Sequence, residues 1–348
     1  LENTDEAAAA ATAQRIIESL RQPIMVSDFE IYSGVSIGIA MHPVHGSDIS
    51  TLLQNADSAM YHAKEQGKNT YSFFNDDLQI KAAIQLQVES GLPRAIAENE
   101  LVLHYQPQVE LDSGRVVGLE ALVRWQHPHD GMLFPGKFIP QAEKSRLIDR
   151  LGEWVADASA AQIAQWLNAG LTPPKVSINI SPSQFLRGAA LPMIEQIIAK
   201  YSIPPHLLAI ELTESALMTD PKEARRTLGK FRDMGLEISI DDFGTGFSSL
   251  SSLRHYPINL LKVDQSFVRD LEHAPDACAI TQTVIDLARY LGISSIAEGI
   301  ENEGQFAKIR MMGCNIGQGF FFSKALSVAE LEQRGIVSTG TATIAQSK

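Results

Sequence analysis

The stretch LLAIELTESALMTDPKEARRTLGKFRDMGLEISIDD, residues 207–242, decides the fold class. Its two ends, 207–213 and 236–242, are short apolar runs typical of buried strands, and residues 221–234 between them have a helical pattern. A strand, a helix and a second strand in this order predict two parallel strands joined by a helical crossover.

The same alternation runs through most of the chain. Eight strand candidates occur, and most of the later gaps between them carry a helical stretch; the candidates are 101–109, 116–125, 175–181, 207–213, 236–242, 259–264, 294–299 and 315–322. Eight such units predict an α/β fold, a (β/α)8 TIM-like barrel. Only residues 110–115 separate the first two candidates, which is too short for a parallel crossover. We therefore expect an antiparallel hairpin there, and a barrel with one antiparallel strand.

The residues before the barrel form a separate α/β segment. Residues 1–75 contain helical patterns at 5–21 and 48–69 and an alternating, strand-like run at 30–43, which is too little for a complete domain. Residues 76–98 predict a connecting helix, interrupted around Gly91 and Pro93. The barrel is assigned to 99–335, and a C-terminal tail to 336–348.

Composition narrows the functional classes. The net charge of −12 and the pI near 5.2 argue against a protein that coats a nucleic acid polymer. Two cysteines and the lack of an apolar run of about 20 residues lead us to expect a cytoplasmic location for this portion. Because the chain begins at Leu1, we expect a piece of a longer protein. A membrane anchor in the N-terminal region of that longer protein stays an open alternative.

Polar side chains recur at the C-terminal ends of the strand candidates, where barrels of this class hold their active sites. They are Glu120, Asn179, Glu211, Asp241, Asp242, Lys262, Asp264, Glu298 and Gln318. Four or five carboxylates in one mouth cannot all stay ionised without cations among them. Oxygen ligands without recurring cysteine or histidine favour Mg²⁺ or Mn²⁺ over zinc, and two such ions suit attack of water on a phosphodiester. In a regular strand Asp242 faces away from Asp241, so we expect it to join the site because the chain turns out at Phe243–Gly244.

Several short motifs lie on the strand candidates and in the segments that follow them: EALVRW (120–125), NIS (179–181), ELTE (211–214), DDFGTGFSSL (241–250), LKVD (261–264), AEGIE (297–301) and GQGFFFSKAL (317–326). Together they closely resemble the EAL-domain cyclic di-GMP phosphodiesterases. The resemblance covers roughly residues 80–330. SIGIAMHPVHG, ADSAMYHAKEQGKNTY and FF within residues 30–74 resemble the C-terminal half of a GGDEF diguanylate cyclase domain. The GGDEF signature itself is absent, so the resemblance does not imply a competent cyclase.

The resemblance implies hydrolysis of cyclic di-GMP to linear pGpG with two Mg²⁺ or Mn²⁺ ions. By motif position it implies that the metal ligands are Glu120, Asn179, Glu211, Asp241 and Asp242. It gives catalytic roles to Glu298 as general base, to Lys262 as the cation that orients or stabilises the attacking hydroxide, and to Asp241. It assigns substrate contacts to Gln106, Leu122, Arg124 and Gln318. It assigns supporting roles to Asp264, Glu301 and Glu214, the last as an anchor of the DDFGTGFSSL loop.

Two alternatives to this enzyme stay open. The first is a receptor that binds cyclic di-GMP without cutting it; the presence of every metal-binding carboxylate and of the loop sequence favours the enzyme. The second is a glycosidase using Glu120 and Glu298, which leaves Asn179, Lys262 and the aspartate pair unexplained. The expected partners are cyclic di-GMP, a second copy of the EAL domain in a homodimer, and upstream GGDEF or sensor domains in the full-length protein.

Overall fold

The computed structural model describes residues 4–26, 29–31, 33–244 and 253–339. It divides into two compact units, residues 1–91 and 92–348, and the division falls inside helix α3 (Asp76–Ala97). This helix runs through Gly91 and Pro93, so the predicted interruption is wrong. Leu92 and Ala95 are fully buried, and their packing compensates for the hydrogen bond that Pro93 removes from the helix. No helix in these described ranges is both long and apolar enough to span a bilayer.

The first unit is a small α/β arrangement. Strands β1 (Ile24–Val26) and β2 (Phe29–Ile31) form an antiparallel pair, and β3 (Ile37–Ile39) and β4 (Tyr71–Phe73) form a parallel one. The two predicted helices are confirmed as α1 (Glu6–Leu20) and α2 (Ile49–Glu65). Each follows an aspartate whose carboxylate accepts a backbone N–H of the first turn, as Asp5 accepts from Ala8 and Asp48 from Thr51. The single strand expected at 30–43 is instead divided between β2 and β3.

The second unit contains the predicted barrel. Its strands are β5 (Leu101–Glu110), β6 (Val116–His127), β7 (Gly131–Leu133), β8 (Lys175–Ile180), β9 (Leu208–Thr213), β10 (Glu237–Phe243), β11 (Leu260–Val263), β12 (Ser294–Ala297) and β13 (Ile316–Gly317). The order β5-β13-β12-β11-β10-β9-β8-β6 is closed by pairing of β5 with β6, while β7 lies beside β6 outside the circle. Strand β5 is antiparallel to both neighbours and the other barrel strands pair in parallel. The expectation of a barrel with one reversed strand is confirmed.

Helices cover the outside of the barrel. They are α4 (Pro135–Lys144), α5 (Ile148–Asn168), α6 (Pro182–Leu186), α7 (Ala190–Tyr201), α8 (Glu214–Met218), α9 (Pro221–Asp233), α10 (Gln265–Asp270), α11 (Pro275–Leu291), α12 (Glu303–Met311) and α13 (Val328–Gln333). One face of each parallel strand packs against helices, and the other face points into the barrel lumen, which is filled with side chains. These strands are therefore buried on both faces. In β9, for example, Ile210 and Leu212 alternate with Ala209 and Glu211, and all four are buried. Glu211 shares its face with its register partners Asn179 and Ser239 on the neighbouring strands.

Candidate active site

The barrel brings the predicted strand-end side chains to one mouth. A cavity of about 460 Å³ opens there, a size suited to a small organic ligand. The residues that line it include Gln106, Glu120, Leu122, Arg124, Asn179, Asp241, Glu298, Glu301 and Gln318. Side chains from strands far apart in sequence therefore face one space, because parallel strands place their C-terminal ends on the same side of the barrel.

Lys262 is the centre of the charged cluster at the base of this mouth. Its side chain is fully buried, and its Nζ lies 2.5 Å from Glu211 Oε2 and 2.6 Å from Glu298 Oε1. The same Nζ lies 3.2 Å from Asp241 Oδ2 and 3.8 Å from Glu120 Oε2. Burial alone would lower the pKa of Lys262, but the attraction of these four carboxylates raises it well above the usual lysine value. Lys262 therefore stays a cation at any physiological pH.

The carboxylates around Lys262 carry more negative charge than one ammonium compensates. Burial, together with repulsion by Glu120 and Asp241, raises the pKa of Glu211 to about 7 even though Lys262 opposes the shift. Burial raises the pKa of Glu298 well above its usual value, again with Asp241 and Glu120 adding and Lys262 opposing. Burial and repulsion both disfavour the ionised form of these carboxylates, so the site has too little positive charge. A bound divalent cation would supply it.

Asp241, Asp242 and Glu298 provide the geometry of a metal-binding group. One oxygen from each carboxylate lies within 4.8 Å of the others. Burial, followed by repulsion from Asp241 and Asp264, raises the pKa of Asp242 to about 6. The donor set is all oxygen, which fits Mg²⁺ or Mn²⁺.

A β-bulge lets the two adjacent aspartates share this space. The pairing of β10 with β11 shifts register between Ile240 and Phe243, and Asp242 adopts a left-handed conformation with φ of +54°. The strand continues to Phe243, so the turn expected at Phe243–Gly244 is not what brings Asp242 into the site. The bulge at Asp242 itself does so, since an extra residue reverses the strict alternation of faces. A left-handed aspartate costs about 1–2 kcal/mol, which the surrounding structure has to offset.

Glu214 holds the start of the glycine-rich loop. Its buried side chain accepts a hydrogen bond from Gly244 N at 3.3 Å through Oε2. Its other oxygen, Oε1, is buried and has no hydrogen-bond partner within the described ranges. Residues 245–252, which contain most of the predicted DDFGTGFSSL loop, lie outside the described part of the chain.

The remaining predicted residues occupy different positions around the mouth. The guanidinium of Arg124 lies 5.2 Å from the ring centroid of Phe134 and donates to the carbonyl of Val123. Asp264 caps helix α10 by accepting a hydrogen bond from Ser266 N at 3.0 Å. Its negative charge contributes to the raised pKa of Asp242. Glu301 lines the cavity and its backbone N–H donates to Gln305 at 2.7 Å.

Amide side chains hydrogen-bond to the carboxylates of Glu120 and Glu211. Asn179 Nδ2 donates to Glu120 Oε1 at 2.9 Å, and Gln318 Nε2 donates to Glu120 Oε2. The sequence reasoning missed one member of this group, Gln108, which is buried beside Glu211 and Gln318. The available signal was alternation along β5, since Gln108 lies two residues after the predicted Gln106 and shares its face.

Comparison with known proteins finds two families in the chain. The family described as EAL domain matches residues 89–325, and the family described as diguanylate cyclase, GGDEF domain, matches residues 1–70. The bifunctional diguanylate cyclase/cyclic di-GMP phosphodiesterase MucR of Pseudomonas aeruginosa is 39% identical over 331 residues, covering 95% of this chain and 48% of MucR. The cyclic di-GMP phosphodiesterase PdeR of Escherichia coli is 36% identical over 331 residues, covering 95% of this chain and 50% of PdeR. The chain spans about half the length of these curated relatives.

Solved structures match the barrel unit. The PaMucR phosphodiesterase in complex with c-di-GMP superposes with a TM-score of 0.68 at 38% identity, covering 70% of this chain and 99% of that one. The EAL domain of Mycobacterium smegmatis DcpA superposes with a TM-score of 0.56 at 31% identity, covering 68% of this chain and 95% of that one. The resemblance to the EAL-domain family and the barrel fold predicted from the strand and helix pattern are confirmed.

Proposed function

The chain belongs to the EAL domain family, and on that premise we propose that it hydrolyses one phosphodiester bond of cyclic di-GMP to give linear pGpG. The observation that carries the proposal is the buried Lys262 in contact with four carboxylates beside the Asp241–Asp242–Glu298 group. A binding protein would have no need to bury so much mutually repelling charge, whereas metal-assisted hydrolysis of a phosphodiester uses such a cluster.

We propose Glu120, Asn179, Glu211, Asp241 and Asp242 as the ligands of two Mg²⁺ or Mn²⁺ ions. When bound, these ions polarise the phosphoryl oxygen and lower the pKa of water towards neutrality. The donor set fits because it is all oxygen and because the raised pKa values of Glu211 and Asp242 mark a shortage of positive charge.

The chain's own groups carry the remaining steps of the proposed reaction. Glu298 accepts the proton of the attacking water, and Lys262, at 2.6 Å, stabilises the ionised form of Glu298 that can accept it. Water oxygen adds to phosphorus, and the bond from phosphorus to the 3′ oxygen breaks with its electron pair staying on that oxygen. The 3′ oxygen takes up a proton from solvent to become a hydroxyl, and the product keeps a 5′ phosphate. Lys262 and its buried charge also stabilise the negative charge that develops on the phosphoryl group.

Substrate contacts are proposed for Gln106, Leu122, Arg124 and Gln318, which line the cavity. The guanidinium of Arg124 suits a substrate phosphate, because it is a planar cation with several donors. Glu214, Asp264 and Glu301 are proposed as supporting residues: Glu214 holds Gly244, Asp264 caps α10 behind Asp242, and Glu301 flanks the cavity.

The test is incubation of the purified chain with cyclic di-GMP in Mg²⁺, in Mn²⁺ and in EDTA, with products resolved by chromatography. We expect pGpG with either metal and none with EDTA. Asp241→Asn is the matched control, since it keeps the shape of the side chain and removes its charge. Tight binding of cyclic di-GMP by calorimetry without any product in either metal would refute the enzyme and favour the receptor.

The wider organisation is also a proposal. We assign residues 1–75 to the C-terminal part of a GGDEF-like domain, 76–98 to a connecting helix, 99–335 to the phosphodiesterase domain and 336–348 to a tail. We further propose a homodimer through the EAL domain, upstream GGDEF or sensor domains in the full-length protein, and a cytoplasmic location for this portion, where the two free cysteines stay reduced. Light scattering of the purified chain tests the dimer: a monomer mass at all concentrations would refute it.

A further inference from the structure

We infer that Gln108 is a positioning residue that holds two of the proposed metal ligands in place, Glu211 directly and Glu120 through Gln318. The inference rests on the proposed function. Gln108 lies on β5, the reversed strand, and its side chain is only 3% exposed. The hydrogen bonds of its side chain go to Glu211 and Gln318 rather than to Glu298 or Lys262, so it acts through the proposed ligands.

The amide of Gln108 connects two parts of the site. Its Nε2 donates to Glu211 Oε1 at 3.4 Å and to Gln318 Oε1 at 3.2 Å. Gln318 in turn donates through its own Nε2 to Glu120 Oε2. Glu211 and Glu120 are thus joined twice, once through Lys262 Nζ and once through the two glutamines.

Only one orientation of each amide is compatible with this chain of hydrogen bonds. A carboxylate accepts and cannot donate, so Gln108 has to present its NH₂ group, not its oxygen, to Glu211. Gln318 then has to offer its oxygen to Gln108 and its NH₂ group to Glu120. Both amides are therefore oriented by the carboxylates they hold. Removal of the Gln108 donor takes away the hydrogen bond to the Gln318 oxygen, while the NH₂ group of Gln318 keeps its bonds to Glu120 and to Gln106 Oε1.

The partner strand is adapted to this side chain. Gly118 on β6 is the register partner of Gln108. A Cβ at position 118 would lie 2.4 Å from Gln108 Oε1, closer than real Cβ contacts. Gln108 Cδ would lie at 3.4 Å, as would Cε of Lys175, which belongs to a flexible side chain that can move. The absence of a side chain at 118 thus leaves the space that the Gln108 amide occupies, and the two residues act as a pair.

The first test is Gln108→Met, which keeps length and volume and removes both donors. Loss of an outer hydrogen bond to a metal ligand weakens metal affinity or activity about 10–100-fold in known sites, and we expect about a tenfold rise in the Mn²⁺ dissociation constant. The free Mn²⁺ signal in electron paramagnetic resonance measures that constant without turnover. We also expect about a tenfold fall in kcat/KM for cyclic di-GMP. The control is Gln184→Met, because Gln184 is equally buried and hydrogen-bonded but lies in the α6 capping box.

The second test is a double-mutant cycle that isolates the pair. Gly118→Ala should weaken Mn²⁺ binding in the wild-type background, since the new methyl group displaces the Gln108 amide. In the Gln108→Ala background the same change should have no further effect, because no amide remains to be displaced. A purely structural role for either residue predicts additive losses instead.

Wild-type Mn²⁺ affinity in Gln108→Met, or equal losses from Gly118→Ala in both backgrounds, would overturn the inference. A wild-type chain that binds Mn²⁺ but does not cut cyclic di-GMP would refute the proposed function alone, since the affinity comparison still tests Gln108. A wild-type chain that binds no Mn²⁺ would overturn both.

Discussion

Replacing Lys262 by methionine keeps the length and packing of the side chain almost unchanged and removes its charge. We expect this change to destabilise the barrel unit at neutral pH. The ammonium is fully buried and has four carboxylate contacts between 2.5 and 3.8 Å. Removing one partner of a buried ion pair costs about 3–5 kcal/mol, because the other charge is left uncompensated. The carboxylates limit the loss by taking up protons, so we expect a total in this range rather than four times larger.

The loss should depend on pH. Burial already raises the pKa of Glu211 to about 7, so at pH 5.5 this group is mostly protonated and Lys262 compensates less charge. We therefore expect a smaller destabilisation at pH 5.5 than at pH 8. Added Mg²⁺ should restore part of the stability at pH 8, since a bound cation replaces the missing charge.

Urea unfolding followed by tryptophan fluorescence measures the stability of the barrel unit. The chain's three tryptophans, Trp125, Trp154 and Trp166, all lie in that unit, residues 92–348. Lys175→Met is the matched control: Lys175 is partly exposed and forms an ion pair with Glu237, so its loss should cost at most about 1 kcal/mol with little pH dependence. Equal urea midpoints for Lys262→Met and wild type at pH 8 without metal would refute the reasoning, as would a larger loss at pH 5.5.

Four further outcomes are expected. Asp241→Asn should reduce pGpG formation at least about 100-fold with an unchanged circular dichroism spectrum; retained turnover would remove Asp241 from the ligands. Because the folded-state pKa of Glu211 is raised from 4.5 to about 7, its contribution to metal-free stability is fully present below pH 4.5 and is lost as pH rises through about 7. Glu211→Gln should therefore flatten the fall in urea midpoint between pH 5 and pH 8 in EDTA, and an unchanged slope would contradict the assignment. Arg124→Ala should raise KM for cyclic di-GMP about tenfold with a smaller change in kcat, whereas a pure loss of kcat in steady-state assays would place Arg124 in the chemistry. Glu214→Ala should weaken Mn²⁺ binding and slow turnover together, because Gly244 loses its anchor, and wild-type values for both would exclude that role.

Much of this site could be predicted because parallel strands place their C-terminal ends together. That rule alone collects Glu120, Asn179, Glu211 and Asp241 at one mouth, before any distance is known. It fails at Asp242, where alternation puts the side chain on the outer face. The bulge that corrects this depends on how β10 pairs with β11, and pairing register is a property of two strands rather than of one.

By itself the sequence determined the class of fold, the reversed first strand and the set of polar residues available at the strand ends. Each of these follows from local patterns: alternation of strands and helices, a connection too short for a crossover, and side-chain period along a strand. The tertiary structure decided which atoms meet: Lys262 among four carboxylates, the left-handed Asp242, and Gln108 beside Glu211 over the space left by Gly118. Those contacts join strands separated by tens to hundreds of residues, and barrel closure and burial set their distances, which local patterns do not contain.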